Sequence, residues 1–207
     1  TNLFGIPLVN LSRTGLGPGM KALKRFVDIV VSAVALVLLS PILLLVAWSV
    51  KRGSAGPVFY RQERLGLHGK PFHIIKFRTM VQDAEGARPQ LSSDEDPRIT
   101  HVGKRLRQTR LDELPQLWNV AKGEMSLVGP RPERPAFVSQ FENRLPGYSR
   151  RHDVPPGITG LAQIRGRYET EPDYKLGHDL QYVVNWSPVL DLMIMLETIV
   201  VMARRLA

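Results

Sequence analysis

The sequence predicts an α+β fold: a small membrane-associated globular domain that carries one apolar helical segment. Three observations predict this class. A 22-residue run from Ile29 to Val50 contains no charged residue and is long enough to cross a bilayer. Short apolar runs at 58–60 and 72–80 predict strands, and a 3.6-residue periodicity at 112–122 predicts a helix. The 207 residues suffice for one ordinary domain plus a membrane element.

The balance of charge narrows the class of partner. Lys and Arg outnumber Asp and Glu by 28 to 19, which gives a formal charge of +9. This charge indicates an anionic partner such as a phosphate-bearing substrate, anionic lipid or nucleic acid. No nucleic acid is expected, because no nucleic-acid-binding motif is recognisable and aromatic residues make up only 7% of the chain. The chain has no Cys, which excludes disulfides and thiolate metal sites.

The apolar run is predicted to insert in the membrane and to bend at its centre. A buried core helix is the alternative, but the run is longer than most soluble folds bury in one helix. Pro41 lacks a backbone donor and clashes with the carbonyl of Val37, and the Ser40 hydroxyl can satisfy a freed carbonyl. Basic residues flank both ends, as if both lay on the cytoplasmic side. A segment that dips in and returns fits these flanks, and a proline-kinked spanning helix also fits the composition.

The other predicted elements are short. Residues 1–20 are rich in Gly and Pro and are interpreted as a linker or the remnant of an N-terminal region. The next elements are a polar helix with a surface loop at 81–98, a basic helix at 102–110, a helix at 112–122 that Gly123 ends, and loops with short helices at 136–187. In the helix at 112–122, Leu117 and Trp118 belong to one apolar face. The apolar helix at 189–203 fits either the membrane interface or a packed core.

Asp112 and Glu113 are the candidate reaction centre. They begin the helix at 112–122, and with Asp112 as N-cap, Pro115 falls at a position where its missing donor costs little. A helix N-terminus favours an ionised carboxylate and a bound phosphate. An ionised Asp there can be a metal ligand or a nucleophile toward phosphorus. A plain N-cap with an acidic first turn is the structural alternative.

Basic residues in three other segments indicate a diphosphate site around this pair. Lys76 and Arg78 are two apart in a predicted strand, so they point to one face. Arg107 and Arg110 precede the pair, one helical turn apart. Arg131 lies between two prolines that restrict its backbone, which pre-positions a guanidinium for a phosphate oxygen. Each of these residues alone fits a solvated surface, but together with two carboxylates they indicate a site for a diphosphate.

The ordered motifs resemble those of a known family. The chain is similar to the bacterial sugar transferases called monotopic phosphoglycosyl transferases, or polyprenyl-phosphate sugar-1-phosphate transferases, from about residue 23 to 206. The motifs that carry the resemblance are residues 24–28, 40–41, 56–66, 76–80, 111–117, 125–132 and 156–163. No core motif departs from the family pattern, and the set as a whole is highly specific.

The resemblance implies an activity and roles for the site residues. Such enzymes move a sugar 1-phosphate from a UDP-sugar to undecaprenyl phosphate, giving a polyprenyl diphosphate sugar and UMP, as the first membrane step of exopolysaccharide, capsule or O-antigen assembly. It implies that Asp112 is the nucleophile of a covalent phosphosugar intermediate and a ligand of Mg²⁺, with Glu113 as its partner. Basic positions of the family site match Lys76, Arg107 and Arg131, and Arg167 matches an Arg near the nucleotide.

The resemblance also implies a topology. A re-entrant helix at 21–51, broken at Ser40-Pro41, holds a catalytic domain at 52–207 on the cytoplasmic face of the bacterial inner membrane, with the C-terminal helix in the interface. Inner-membrane lipid is an expected partner, and the sequence leaves the oligomeric state open, with a homodimer as one option. Two alternatives stay open: a membrane-tethered basic module that binds anionic lipid or nucleic acid without catalysis, and a transferase on a single-span anchor.

Overall fold

The predicted mixture of helices and strands is confirmed by the structure, a computed structural model that describes residues 2–3, 6–7, 17–82, 84, 96–166 and 172–206. The helices are α1 (Pro18–Leu38), α2 (Ser40–Gly53), α3 (His101–Thr109), α4 (Gln116–Lys122), α5 (Pro135–Arg144), α6 (Leu161–Arg165), α7 (Pro172–Asn185) and α8 (Pro188–Leu206). The strands are β1 (Asn2–Leu3), β2 (Ile6–Pro7), β3 (Phe59–Leu65), β4 (Pro71–Phe77), β5 (Ser126–Val128) and β6 (Gly157–Thr159). β1–β2 and β3–β4 are antiparallel pairs, and β5–β6 is parallel.

The predicted bend in the apolar segment is present. α1 ends at Leu38 and α2 begins at Ser40, with an angle of 63° between them. The Ser40 hydroxyl donates to the carbonyl of Val37 at 2.7 Å, which satisfies one of the acceptors that Pro41 leaves without a backbone donor. No single helix of the described ranges has the length and hydropathy to cross a membrane, whereas the bent α1–α2 pair meets that criterion.

Charged residues in the first half of α1 attach the apolar segment to the rest of the fold. The guanidinium of Arg25 donates to the carbonyls of Val120 at 2.5 Å and Ala121 at 2.7 Å, at the C-terminal end of α4. Further along α1, the Asp28 carboxylate accepts the backbone N–H of Leu127 in β5 at 3.0 Å. These contacts fix α1 against two elements of the globular part, so the charges are structural as well as flanking.

The β3–β4 hairpin brings Lys76 opposite Tyr60. Its turn lies at Gly66–Lys70, and Gly69 takes a φ of 71° that favours glycine. The predicted strand at 72–80 is too long, because β4 ends at Phe77. Beyond it, the buried guanidinium of Arg78 donates to the carbonyls of Ala55 and Ser54, at 2.7 and 2.8 Å. Arg78 therefore joins the end of β4 to the turn after α2.

Helix α4 is shorter than predicted and buries a different face. It begins at Gln116, not at residue 112, and Gly123 ends it in a left-handed conformation as predicted. Trp118, expected on the buried face, is 54% exposed, whereas Asn119 is fully buried. Asn119 faces inward because its side chain accepts the N–H of Ile75 and donates to the carbonyl of His73. These two hydrogen bonds join α4 to β4.

Helix α8 combines the two roles that the sequence left open. Its inner face packs Ile194 against Val128 and Tyr182 in the core. Its outer face carries large apolar side chains between 47% and 66% exposed: Val189, Leu192, Met193, Leu196, Ile199 and Val200. The packed-core interpretation is confirmed for the inner face. That the outer face lies in the membrane interface stays a prediction. Most of the helix and loop predicted at 81–98 lies outside the described residues.

Candidate active site

The two candidate carboxylates lie in a tight turn between α3 and α4. Residues Leu111–Glu113 form a single 3₁₀ turn, and Arg110 before it has a left-handed backbone with a φ of 59°. A non-glycine residue in that region costs free energy, about 1 kcal/mol. The turn buries Asp112 and Glu113 to the same degree, each with 8% of its surface exposed. The prediction that Asp112 is the N-cap of a helix is wrong, because Pro115 holds that position.

The site is positioned by a close approach between α3 and the end of β4. A Cβ at Gly103 would lie 2.0 Å from the carbonyl oxygen of Thr79, so only glycine permits this contact. Thr100 caps α3 by accepting the N–H of Gly103 at 2.9 Å. Across the same contact, Arg107 Nε donates to the Thr79 hydroxyl at 2.9 Å. This packing sets where the turn that follows α3 presents its carboxylates.

Glu113 is surrounded by cations. Its Oε1 lies 2.8 Å from Lys76 Nζ and 2.6 Å from Arg131 Nη2, and Arg110 Nη1 approaches to 3.8 Å. Burial raises the pKa of Glu113, but the charges of Arg131 and Lys76 outweigh burial and hold this pKa well below its ordinary range. Burial lowers the pKa of Lys76, and the charge of Glu113 opposes that shift. Glu113 therefore pairs with both cations and fixes their positions.

Asp112 has the opposite electrostatic character. Burial and the neighbouring negative charge of Glu113 raise the pKa of Asp112, while the charges of Lys76, Arg110 and Arg107 act against this. Its Oδ1 is buried and has no hydrogen-bond partner within the described ranges. An unpaired buried acceptor costs about 1–3 kcal/mol, and a bound cation or hydrogen-bond donor would relieve that cost. The two adjacent carboxylates thus have different surroundings: Glu113 is paired with cations, whereas Asp112 has an unpaired oxygen.

The predicted basic residues are only partly brought together. Lys76 and Arg131 both contact Glu113, and Arg107 lies close enough to influence Asp112. Arg78 is bound instead to the carbonyls of Ser54 and Ala55. Arg167 lies outside the described residues. The binding roles of all five remain predictions.

Three further basic residues support the site. Arg110, which the sequence placed beside Arg107 in the candidate diphosphate site, contacts Glu113, whereas Arg64 and Arg151 were not predicted. Arg64 donates to the carbonyl of Pro132 at 3.2 Å and to Glu133 at 3.2 Å. The buried Arg151 donates to the carbonyl of Arg131 at 2.8 Å. Nothing in the sequence near Arg64 or Arg151 indicates these partners, because both contacts join distant segments.

Asp112 is the residue best suited to hold a metal ion. Within the described part of the chain, no group of three His, Cys, Asp or Glu side chains converges on a common point. Mg²⁺ is commonly held by one or two carboxylates together with substrate phosphates. The unpaired Oδ1 of Asp112 fits that mode of binding, whereas both oxygens of Glu113 are engaged by Arg131 and Lys76.

Comparisons with known proteins point to one family. The model of the family described as bacterial sugar transferase matches residues 19–205. The chain is 45% identical over 180 residues to a UDP-N-acetylgalactosamine-undecaprenyl-phosphate N-acetylgalactosaminephosphotransferase of Aeromonas hydrophila, covering 86% of this chain and 43% of that protein. It is 45% identical over 200 residues to a UDP-glucose:undecaprenyl-phosphate glucose-1-phosphate transferase of Klebsiella pneumoniae, covering 94% and 43%. An uncharacterized sugar transferase of Bacillus subtilis, EpsL, is 44% identical over 177 residues, covering 86% and 85%. The chain thus spans less than half the length of the first two relatives.

Proposed function

The chain belongs to the bacterial sugar transferase family, and from that premise we propose that it transfers a sugar 1-phosphate from a UDP-sugar to undecaprenyl phosphate. The observation that carries the proposal is a pair of adjacent buried carboxylates with different contacts. Asp112 presents an unpaired Oδ1, while Glu113 is held between Lys76 and Arg131. The names of the relatives support the two substrates.

The proposed reaction has two displacements at one phosphorus atom. In the first, an Asp112 oxygen attacks the sugar-bearing phosphorus of the UDP-sugar, and the bond to the bridging oxygen breaks, releasing UMP. In the second, a phosphate oxygen of undecaprenyl phosphate attacks the same phosphorus and the bond to Asp112 breaks. The carboxylate is regenerated and the polyprenyl diphosphate sugar leaves. Each step forms one P–O bond and breaks one, so no oxidant or reductant is required.

The cations around the turn supply the electrostatics that this reaction needs. Lys76, Arg131 and Arg110 converge on Glu113, beside the carboxylate that would face the diphosphate. Guanidinium groups can donate two parallel hydrogen bonds to phosphate oxygens, and their charge stabilises a phosphate more strongly where water is excluded. We propose that Mg²⁺ binds at Asp112 and the substrate phosphates, where it would neutralise diphosphate charge. Glu113 keeps Lys76 and Arg131 in place before substrate arrives.

We propose that the protein acts at the cytoplasmic face of the bacterial inner membrane. The exposed apolar side chains of α1, α2 and α8 support this proposal. α1 and α2 expose apolar side chains along their length, including Val37 at 72% and Leu44 at 71%. The outer face of α8 adds a second apolar stripe. We propose that the bent pair is re-entrant, because a return to the entry side keeps the catalytic turn at the level of a lipid phosphate.

A burst experiment tests the covalent step. The purified chain is mixed with Mg²⁺ and a panel of UDP-sugars, carrying ³²P in the sugar-linked phosphate, without undecaprenyl phosphate. We expect UMP release equal to about one per enzyme and an acid-stable label on protein, both lost in Asp112→Asn. The control is Asp173→Asn, an exposed carboxylate in α7, which should behave like wild type. Turnover by Asp112→Asn would exclude the covalent role, and salt-dependent binding without UMP release would favour the binding module.

A labelling experiment tests the topology. The chain has no Cys, so single cysteines report on one position each. Gly19 has open space around it, whereas a side chain at Gly53 would lie 2.9 Å from Val102. Gly19→Cys and Arg52→Cys are therefore the chosen pair. A re-entrant segment predicts that an impermeant thiol reagent labels both only after cells are opened. Labelling of one position in intact cells would show a single span.

A further inference from the structure

The backbone around Arg131 is held at three consecutive carbonyls. The Pro130 carbonyl accepts the N–H of Gly157 at 2.9 Å. The carbonyls of Arg131 and Pro132 accept from the guanidinium groups of Arg151, at 2.8 Å, and Arg64, at 3.2 Å. Because proline has no N–H, carbonyl oxygens are the main polar groups by which this segment can be fixed.

Arg151 is a buried cation with no part in the proposed reaction. It is 5% exposed and pairs with Asp179 of α7, itself 2% exposed, at 2.7 Å. It also donates to the hydroxyl of the buried Tyr148. Buried ion pairs add little net stability over apolar side chains of equal volume, so stability alone does not explain why a charged pair is kept here.

We propose that Arg151, fixed by Asp179, is a positioning residue for the transferase site and acts through the Arg131 carbonyl. The chain of contacts runs from Asp179 to Arg151, from there to the Arg131 backbone, and from the Arg131 guanidinium to Glu113 at 2.6 Å. This inference rests on the proposed function for its effect on rate. Its effect on the backbone of the 126–134 segment does not depend on that function.

The planar fork of arginine is what this role requires. One terminal nitrogen of Arg151 donates to the Arg131 carbonyl and approaches Asp179, while the other donates to Tyr148. A lysine ammonium keeps the charge but has a single nitrogen on a flexible stem, so it cannot reproduce this divergent set. Arg151→Lys therefore retains the charge opposite Asp179 but weakens the hydrogen bond to the Arg131 carbonyl.

The first experiment is a cycle of variants in the full chain in nanodiscs. We expect Arg151→Lys to reduce kcat/KM for UMP release by about 10²-fold, the cost of a displacement of about 1 Å at a reacting centre. In an Arg131→Ala background the same change should cost less than twofold, because the group it positions is gone. Equal losses in both backgrounds would overturn the proposal. Tyr148→Phe, a milder change to the same cluster, should give a smaller loss with the same dependence on Arg131.

The second experiment reads the backbone directly by hydrogen exchange. Arg151→Lys should speed exchange of amides in residues 126–134 and leave those of β3 and β4 unchanged. The control is Leu176→Ala, which removes buried packing from α7 against Tyr148 and removes none of the polar contacts of Arg151. It should lower Tm but leave kcat/KM and exchange in 126–134 as in wild type. Unchanged exchange in Arg151→Lys would refute positioning, whereas absence of UMP release from wild type would refute only the proposed function.

Discussion

Lys24 provides a sharp test of how the apolar segment is joined to the catalytic domain. Its ammonium lies 2.6 Å from Asp191 in α8 and 3.1 Å from the Val128 carbonyl, one residue before the Gly129-Pro130-Arg131 segment. Both side chains of the ion pair are shielded, with 9% and 12% of their surfaces exposed. The change Lys24→Met keeps most of the packing volume and removes the charge, so it leaves the Asp191 carboxylate without its cation.

The expected loss follows from burial and from what remains around Asp191. Removing one partner of a buried pair costs about 3–5 kcal/mol, whereas an exposed pair contributes about 0.2–1 kcal/mol. Asp191 keeps hydrogen bonds from Tyr182 at 2.8 Å and Trp186 at 3.0 Å, which places the loss near the lower end, about 3 kcal/mol. For a chain of this length that corresponds to a fall in Tm of about 6–12 °C.

Thermal unfolding in nanodiscs, followed by tryptophan fluorescence, measures this loss. The matched control is Lys21→Met, which removes the same charge from an exposed position one turn earlier in α1 and should change stability by less than about 0.5 kcal/mol. Lys24→Met with Asp191→Asn should recover part of the loss, because the uncompensated charge is gone. A Tm for Lys24→Met equal to that of the Lys21 variant would refute the argument that this pair is buried and structural.

Three further predictions concern pH, packing and charge. Burial lowers the pKa of His152 from 6.5 to about 4, so the folded protein should be most stable above pH 6.5 and should lose about 1–3 kcal/mol, allowing for solvent screening, as the pH falls to 4. Unfolding midpoints measured against pH should show this loss, and His152→Asn should flatten the curve. Gly103→Ala places a methyl group against the Thr79 carbonyl and should lower the free energy of unfolding by about 1–3 kcal/mol. Denaturant unfolding measures this, and an unchanged midpoint would contradict the close approach of α3 to Thr79. Glu113→Gln should reduce kcat for UMP release at least tenfold while Mg²⁺ dependence persists, since it frees Lys76 without removing Asp112; wild-type kcat would contradict the anchoring role.

Several features of the site could be predicted because they depend on neighbouring residues. The Asp112-Glu113 pair is adjacent in the chain, and the prolines on either side of Arg131 restrict its backbone wherever it lies. The bend at Ser40-Pro41 follows from a missing donor and a local clash, and the structure shows the Ser40 contact within three residues. The N-cap assignment failed because the left-handed Arg110 starts a separate turn and the next helix begins only at Gln116.

The order of residues along the chain is enough to show which chemical groups are available: an apolar segment that bends, a carboxylate pair, basic residues in several segments and a rigid Pro-Arg-Pro loop. The distances between these groups depend on how the helices and strands pack. Glu113 meets Lys76 across 37 residues and Arg131 across 18, while Lys24 meets Asp191 across 167. Arg78, two residues from Lys76, turns away to Ser54. Such pairings depend on which elements pack together, since an ion pair forms wherever burial brings opposite charges within reach and the spacing of residues along the chain does not encode that distance.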